Sequence, residues 1–574
     1  MSEPSAYDTY TSPLATRNAS KQMLTLWSPR HKFNTWRRIW LAVAEAQHEM
    51  GLPVSKEQVE ELRAVVNRPG GITDAEMKAA EKYERELRHD VMAHVHALGD
   101  SCPKAKGIIH LGMTSQDVVC NADLMTIEHA LTLIDAKLSR CIVSLGDRAT
   151  STRSVPTLGF THYQPAQPTT VGRRIAGWSA DLLLCKNRIC DHVLLENGCP
   201  IRGMRGATGT QASFLSLLGD GARVDRFEAT AIAHLTDRPE ILQRFLPQTL
   251  AQMLAARMRR VSDYIEEYDV GGEHYDPTSI NDELERSKAQ LAALASRGVE
   301  GEAERVAEDI VKSSTFHLTG QTYPRVTDTF ILADLASTAS VLHKIATDIR
   351  LLCNRKEIDE PFEDKQIGSS AMPYKRNPMR CERICGLTRF VMNLVGNAYD
   401  TAATQWLERT LDDSSNRRLS LPEAFLALDG ALDLMHNVAS GLIVHEAMVR
   451  KNLMAELPFM ATENILMACV KLGGDRQAYH EHIRAHAQAA GLRVKQEGQE
   501  NDLLDRLKAD KHFWSTARGG PLTAELDWEG VLDPMKYVGR SVEQTERFVT
   551  EVIEPLREQY GEALRTMESN SPRV

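Results

Sequence analysis

Residues 327–353 read TDTFILADLASTASVLHKIATDIRLLC. Leu332, Leu335, Ala339, Leu342, Ala346 and Ile349 recur in this stretch at spacings of 3, 4, 3, 4 and 3. That rhythm puts six apolar side chains on one stripe of a long helix. The near-heptad period suits packing against roughly parallel helices. Asp334, Ser337, Ser340, Lys344 and Asp348 fall between them. Outward along the chain, 122–150 repeats the pattern with Leu124, Ile127, Ala130, Leu131, Ile134, Leu138 and Ile142. Segments 171–195, 380–404, 422–446 and 542–566 look comparable, and no β-rich stretch matches them in length. The expectation is an all-α protein whose middle is a bundle of long helices.

The 574 residues suggest roughly three to five domains. Apolar residues make up 42% and charged residues 25%, which excludes wholesale disorder, collagen and a small disulfide scaffold. A net charge of −10 argues against a nucleic-acid coat. No apolar run approaches the ~18–20 residues of a membrane span. The start, MSEPSAYDTYTSP, lacks the basic and apolar regions of a signal peptide, so a soluble intracellular protein is expected. Ten cysteines without a C-x-x-C predict reduced thiols rather than zinc or redox chemistry. Glu273-His274 has no second His at zinc-helix spacing. Neither a phosphate loop of the G-x-x-x-x-G-K-[ST] type nor a dinucleotide fingerprint is present, so no cofactor or metal is indicated.

Five short stretches between the helices could carry chemistry, because rigid elements would hold them. Gly368-Ser-Ser-Ala-Met-Pro-Tyr-Lys-Arg-Asn-Pro378 offers N–H groups, hydroxyls and two cations to an anion. Thr161-His-Tyr-Gln-Pro-Ala-Gln167 holds an imidazole able to exchange a proton near neutral pH. Arg88-His-Asp90 places a cation, an imidazole and a carboxylate in a row. Gly112-Met-Thr-Ser115 precedes a long helix, where hydroxyls and free N–H groups bind carboxylates. Gln405 to Arg418 carries Arg409, Arg417 and Arg418, whose forks suit carboxylate or phosphate. Each alone also reads blandly: a turn, a packed histidine, a solvated face, an N-cap, a salt-bridged helix end. Together they put hydroxyls, His and Arg or Lys on loops joining long helices. That theme fits acid–base chemistry on a polyanionic substrate.

Ser369-Ser-Ala-Met-Pro-Tyr-Lys-Arg-Asn-Pro378 resembles the signature loop of the fumarase/aspartase superfamily. Within it the chain resembles the adenylosuccinate lyase family, in its eukaryotic branch. Seven further segments match in the same order: 87–94, 109–115, 159–167, 208–213, 320–323, 406–418 and 457–464. The likeness covers nearly the whole chain apart from about 224–313, an Ala/Glu/Arg/Leu-rich stretch read as a helical insertion that decorates the surface. Asn281 to Ser296 patterns there as an exposed charged helix.

The resemblance implies an N-terminal helical domain over 1–112, a central bundle over 113–444 with the insertion, and a C-terminal helical domain over 445–574. It implies a cytoplasmic homotetramer whose active sites draw loops from different subunits. The implied substrates are adenylosuccinate and SAICAR, and the products AMP, AICAR and fumarate. In this family pattern Ser369 is the general base and His162 the general acid. His89 is a second active-site histidine, flanked by Arg88 and Asp90. Lys375 and Asn377 hold the carboxylate that gathers charge, and Thr114 and Ser115 grip a succinyl carboxylate. Arg17, Gln321, Arg383, Arg409, Ser414 and Arg418 match substrate contacts. Asn18 departs from the family's tyrosine, which puts substrate affinity in question. The competing expectations are another fumarate-releasing lyase (argininosuccinate lyase or fumarase) and a catalytically silent helical scaffold.

Overall fold

A computed structural model describes residues 8–194, 200–236, 315–363, 366–368, 370–511, 526 and 528–566. Five helices come first: α1 (Lys21–Leu26), α2 (Pro29–Glu49), α3 (Lys56–Val66), α4 (Asp74–Leu87) and α5 (Asp90–Ser101). Helix α6 (Ser115–Ser151) has 37 residues and is therefore about 55 Å long. A ribbon of β1 (Pro156–Thr161) and β2 (Gln164–Thr170) leads into α7 (Val171–Leu194), followed by α8 (Ala212–Leu218) and α9 (Gly221–Thr236). Then come α10 (Val326–Asn354), β3 (Ile358–Asp359), α11 (Met379–Ala403), α12 (Asp413–Gly441) and β4 (Ile443–Val444). Seven further helices finish the described chain, beginning with α13 (Glu446–Met460).

Side-chain bonds give the direction of each long helix. Lys137 and Arg140 reach Asp433 at 2.8 and 2.6 Å, Ser144 meets His436 at 3.0 Å, and Arg148 donates to the Ala439 carbonyl. Both numbers rise together, so α6 and α12 run parallel. Trp178 donates to Asp348 at 2.8 Å and Arg188 to Asp334 at 3.2 Å, which makes α7 antiparallel to α10. Arg350 faces Glu382 while Thr347 faces Cys385, so α11 returns antiparallel to α10. The result is a five-helix bundle. One end, called the head here, gathers the starts of α6, α10 and α12 and the finish of α11. The opposite foot gathers the β1–β2 ribbon, the β3–β4 pair and the start of α11.

The stripe read from 327–353 is buried at all six positions, each 1% exposed or less. The seven positions of α6 are all fully buried as well. A buried leucine or isoleucine of this kind contributes about 1.5–3 kcal/mol, so these stripes are the main reason the bundle holds. Three apolar clusters form: the bundle; a second one from Trp36, Trp40, Leu98, Phe214, Phe227 and their neighbours; and a C-terminal one around Leu453's successors Ile465, Tyr479 and Leu503.

Three sequence expectations meet corrections. The stretch 159–168 is a β-ribbon, not an irregular loop. Its two prolines are tolerated because a two-stranded ribbon has free edges. Helix α12 begins at Asp413, ahead of the expected 422, and carries Pro422 inside it. The Arg409–Arg418 segment is thus partly helical, and one carbonyl loses its usual partner at the proline. Residues 224–236 do not decorate the surface: Val224, Phe227, Ala231, Ile232 and Leu235 are buried in the second cluster. The rest of the stretch read as an insertion, Asn281 to Ser296 included, lies outside the described residues, as does Glu273-His274.

Candidate active site

At the head, helix α4 stops on Arg88, whose left-handed backbone (φ 54) turns the chain toward α5. His89 is the N-cap of α5, and its Nδ1 accepts the Met92 N–H at 3.3 Å. An accepting Nδ1 puts the proton of the neutral ring on Nε2, which lies 3.4 Å from Ser115 Oγ. Asp90 accepts the Val91 N–H at 2.8 Å and the Arg418 guanidinium at 2.9 Å. Burial pushes the Asp90 carboxyl up, but the Val91 N–H, Arg418 and Lys32 outweigh it and the net shift is downward. Thr114 caps α6 and donates its N–H to Asp117 at 2.7 Å. Arg409 donates to Gln321 at 3.0 Å and lies 3.7 Å from Asp413. Ser414 and Arg418 sit one turn apart on α12, on the same face. Nine expected site residues therefore gather at this end: Arg88, His89, Asp90, Thr114, Ser115, Gln321, Arg409, Ser414 and Arg418.

A cavity of about 440 Å³ opens beside them. Arg409, Ser414 and Arg418 line it, together with Lys32, His94, Asp123, Arg325 and Arg417. The Lys32 ammonium rests over the Trp36 ring at 4.9 Å. Burial lowers it below the usual lysine range, and Arg418 adds to the effect. His94 stacks on Phe33 with ring centroids 3.7 Å apart, and burial with Arg37 and Lys32 pushes it down to about 4. Within the wall, Arg417 is held by Asp328 at 2.6 Å and Asp123 at 3.1 Å, and Arg325 by Asp413 at 2.8 Å. The lining sets five cations (Lys32, Arg325, Arg409, Arg417 and Arg418) and four carboxylates (Glu81, Glu84, Asp123 and Asp413) beside aromatic rings, which suits a polar, ring-bearing ligand with anionic groups. Lys32, His94 and Arg325 were missed from sequence. Lys32 lies on an ordinary helical stretch with nothing in the string to mark it, while His94 closes the matched segment 87–94 without being singled out as a site residue there.

The foot is arranged differently. His162 and Tyr163 form the two-residue turn of the ribbon, both left-handed at φ 52 and 56, and both side chains are exposed. Mirror-image turns of this kind match the twist of a hairpin. They are usually made with Asn-Gly, so His-Tyr gave no hairpin signal. Lys375 is exposed, and Asn377 donates to the Gly368 carbonyl at 2.7 Å, closing the loop on itself. Ser369 lies outside the described residues. Arg383 stands in the first turns of α11, its guanidinium lowered by burial and then by Arg17 and Arg380. Arg17 and Asn18 belong to a turn (Leu14–Asn18) that packs on the middle of α12, tied down by Asp429, which accepts the Ser20 N–H at 2.6 Å. The Asn18 amide donates to the Pro13 carbonyl at 3.0 Å.

Within one chain, then, nine of the expected residues gather at the head, His162, Lys375 and Asn377 lie at the foot, and Arg17 and Asn18, with Arg383 beside them, stand at the middle of α12. The length of α6, about 55 Å, separates His89 and Ser115 from the His162 ribbon. No contact joins the head and foot groups in a single subunit among the described residues.

A family model described as "Lyase" matches residues 17–211 and 242–393. Among solved structures, a 3-carboxy-cis,cis-muconate lactonizing enzyme from Pseudomonas putida superposes with a TM-score of 0.67 at 20% identity, covering 94% of this chain and 98% of the other. A fumarate lyase from Mesorhizobium sp. BNC1 does so at 0.64 and 18%, covering 94% and 99%. These fix the fold. A second model, "Adenylosuccinate lyase C-terminus", matches residues 458–548. The adenylosuccinate lyase of Schizosaccharomyces pombe is 42% identical over 549 residues, 95% of each chain. That of Saccharomyces cerevisiae is also 42% identical, over 95% of this chain and 94% of its own, and that of Schistosoma mansoni is 38% identical over 97% and 98%. The chain belongs to the adenylosuccinate lyase family.

Proposed function

We infer that this chain is an adenylosuccinate lyase: it releases fumarate from adenylosuccinate to give AMP, and from SAICAR to give AICAR. The observation that carries this is the 42% identity to a curated adenylosuccinate lyase across 95% of both chains. The head cavity, where Lys32, Arg409 and Arg418 are available to anionic groups beside aromatic rings, agrees with a substrate that bears a phosphate, two carboxylates and a base.

In the proposed reaction Ser369 takes the proton from the carbon next to a carboxylate. A serine hydroxyl is a poor base unless ionised, so its loop and Lys375 must stabilise the alkoxide. The intermediate is dianionic and enolate-like, and aimed cations and N–H groups stabilise it. His162 then protonates the leaving nitrogen as the C–N bond breaks. Positioned acid–base groups supply ~10²–10⁴-fold each. Thr114, Ser115 and His89 hold the succinyl part, while Arg409, Ser414 and Arg418 face the anionic remainder. No redox or group-carrier step is needed, and no cofactor is proposed.

The head-and-foot arrangement favours a shared site. A group at the foot of one bundle can reach the head only on another subunit. We therefore propose the homotetramer of the resemblance, with Phe330, Phe390, Tyr399 and Leu419, all exposed apolar side chains of α10–α12, at the subunit contacts. A cytoplasmic location is proposed with it. The test is a spectrophotometric assay of fumarate release from adenylosuccinate, with argininosuccinate and malate as competitors for the assignment. Turnover of either competitor in preference to adenylosuccinate would overturn the reading.

A further inference from the structure

We propose that Asp117 and Arg202 are a positioning pair, which fixes the substrate-gripping Thr114-Ser115 turn and the Gln321 loop relative to each other through the intervening 203–211 loop. This rests on the functional reading above and extends it to two residues that contact no substrate in it.

Both side chains are fully buried and ion-paired. The Asp117 carboxylate takes four donors. One oxygen accepts the Thr114 N–H at 2.7 Å. The other accepts the Arg205 N–H at 2.9 Å, the Gly206 N–H at 3.0 Å and the Arg202 guanidinium. From its far nitrogen Arg202 donates to the Gly206 carbonyl at 2.7 Å and the Gly320 carbonyl at 3.0 Å. Gly320 is the residue before Gln321. One turn along α6, Asn121 exchanges both its amide bonds with Gly203, each at 3.0 Å. The middle loop also lies directly on the third one. Gly209 has φ +82, and a Cβ there would stand 1.9 Å from the Thr319 carbonyl oxygen.

Three loops distant in sequence thus meet on one ion pair, and nearly all of its bonds go to their backbones. A buried ion pair is a weak contributor to stability compared with well-packed apolar residues, because desolvation offsets the attraction. What it does well is fix geometry. Polar backbone buried in three loops needs partners in set directions, and a displacement of about 1 Å at a substrate contact can cost roughly 10²-fold in rate.

The experiment compares wild type with Asp117→Asn and Arg202→Lys by amide hydrogen exchange and by steady-state kinetics on adenylosuccinate. For Asp117→Asn, faster exchange is expected together at 112–115, 203–206 and 319–321, with the bundle helices unchanged. KM is expected to rise about tenfold or more, with a smaller fall in kcat of the folded enzyme; tenfold corresponds to about 1.4 kcal/mol. Arg202→Lys keeps a cation but cannot reach both carbonyls, so 319–321 is expected to loosen while Thr114 stays protected. It also stands in should Asp117→Asn fail to fold. Loosening confined to 203–206, or a lowered Tm with KM unchanged, overturns the proposal in favour of a purely structural role. A wild type that does not turn over adenylosuccinate overturns the functional reading instead, and the exchange pattern still judges the pair.

Discussion

The head and foot of the bundle are made from the same helices and solve opposite problems. At the head, charges are paired and half-hidden: Arg418 on Asp90, Arg409 on Gln321, and Arg417 between Asp328 and Asp123. The polar groups of this end are held by partners in their own chain. At the foot, His162 and Lys375 stand exposed on a turn and a loop. In the proposed reaction His162 transfers a proton and Lys375 holds charge, and their exposure is what a site shared between subunits requires.

The sharpest way to break this contrast is to remove one group from each end. His162→Ala or Ser369→Ala is expected to lower kcat by at least ~10²-fold, with the oligomer intact by light scattering. Mixing and refolding His162→Ala with His89→Ala should then recover measurable turnover, because some sites receive an intact head and an intact foot from different chains. A mixture as inactive as its parents would mean that the two ends do not combine into one site across subunits. Next in size is Arg418→Ala at the head. Loss of a charge-assisted contact is worth about 1.5–3 kcal/mol, so KM should rise roughly 10–100-fold while subunit assembly is unaffected. An unchanged KM would mean the cavity does not hold substrate.

Acid sensitivity separates the ends by stability rather than rate. Burial pushes His94, at the head, and His436, farther along α12, down to about 4 from an ordinary 6.5. Between those values the unfolded chain binds more protons than the folded one. The stability these neutral rings contribute is therefore complete above about pH 6.5 and is lost as pH falls toward 4. Urea midpoints at pH 7.5 and 5.5 should show the drop, and His436→Gln or His94→Gln should each shrink it. An equal drop in both variants and wild type would show that neither buried imidazole matters. The smallest effect is expected from Asn18→Tyr, which restores the family phenol. One neutral hydrogen bond of about 0.5–1.5 kcal/mol corresponds to a KM lowered a few-fold, and a KM that stays put would show the departure to be silent.

Much of this was legible in the string. The apolar stripes of α6 and α10 were readable because burial on one helical face leaves a period of 3 and 4. The segments holding Arg88, Thr114, Ser115, His162 and Lys375 were readable because small residues, glycines and charges cluster where helices break. The ribbon was not, since His162-Tyr163 lacks the usual turn residues and Pro165 and Pro168 argue against a strand. The start of α12 was hidden by Pro422, which the helix accommodates. Lys32, His94 and Arg325 were not singled out because their meaning comes only from what faces them.

The amino-acid order by itself determined that this chain makes long helices, where they break, and which reactive side chains sit at the breaks. These are local properties, set by residue period and turn chemistry over a dozen positions. Tertiary structure alone decided that Asp117 meets Arg202, that residues from helices far apart in sequence enclose one polar chamber, and that His89 and His162 lie a full helix length apart. Those depend on which surfaces pack together across tens to hundreds of residues, and packing is settled by the sum of burial over the whole bundle rather than by any one segment.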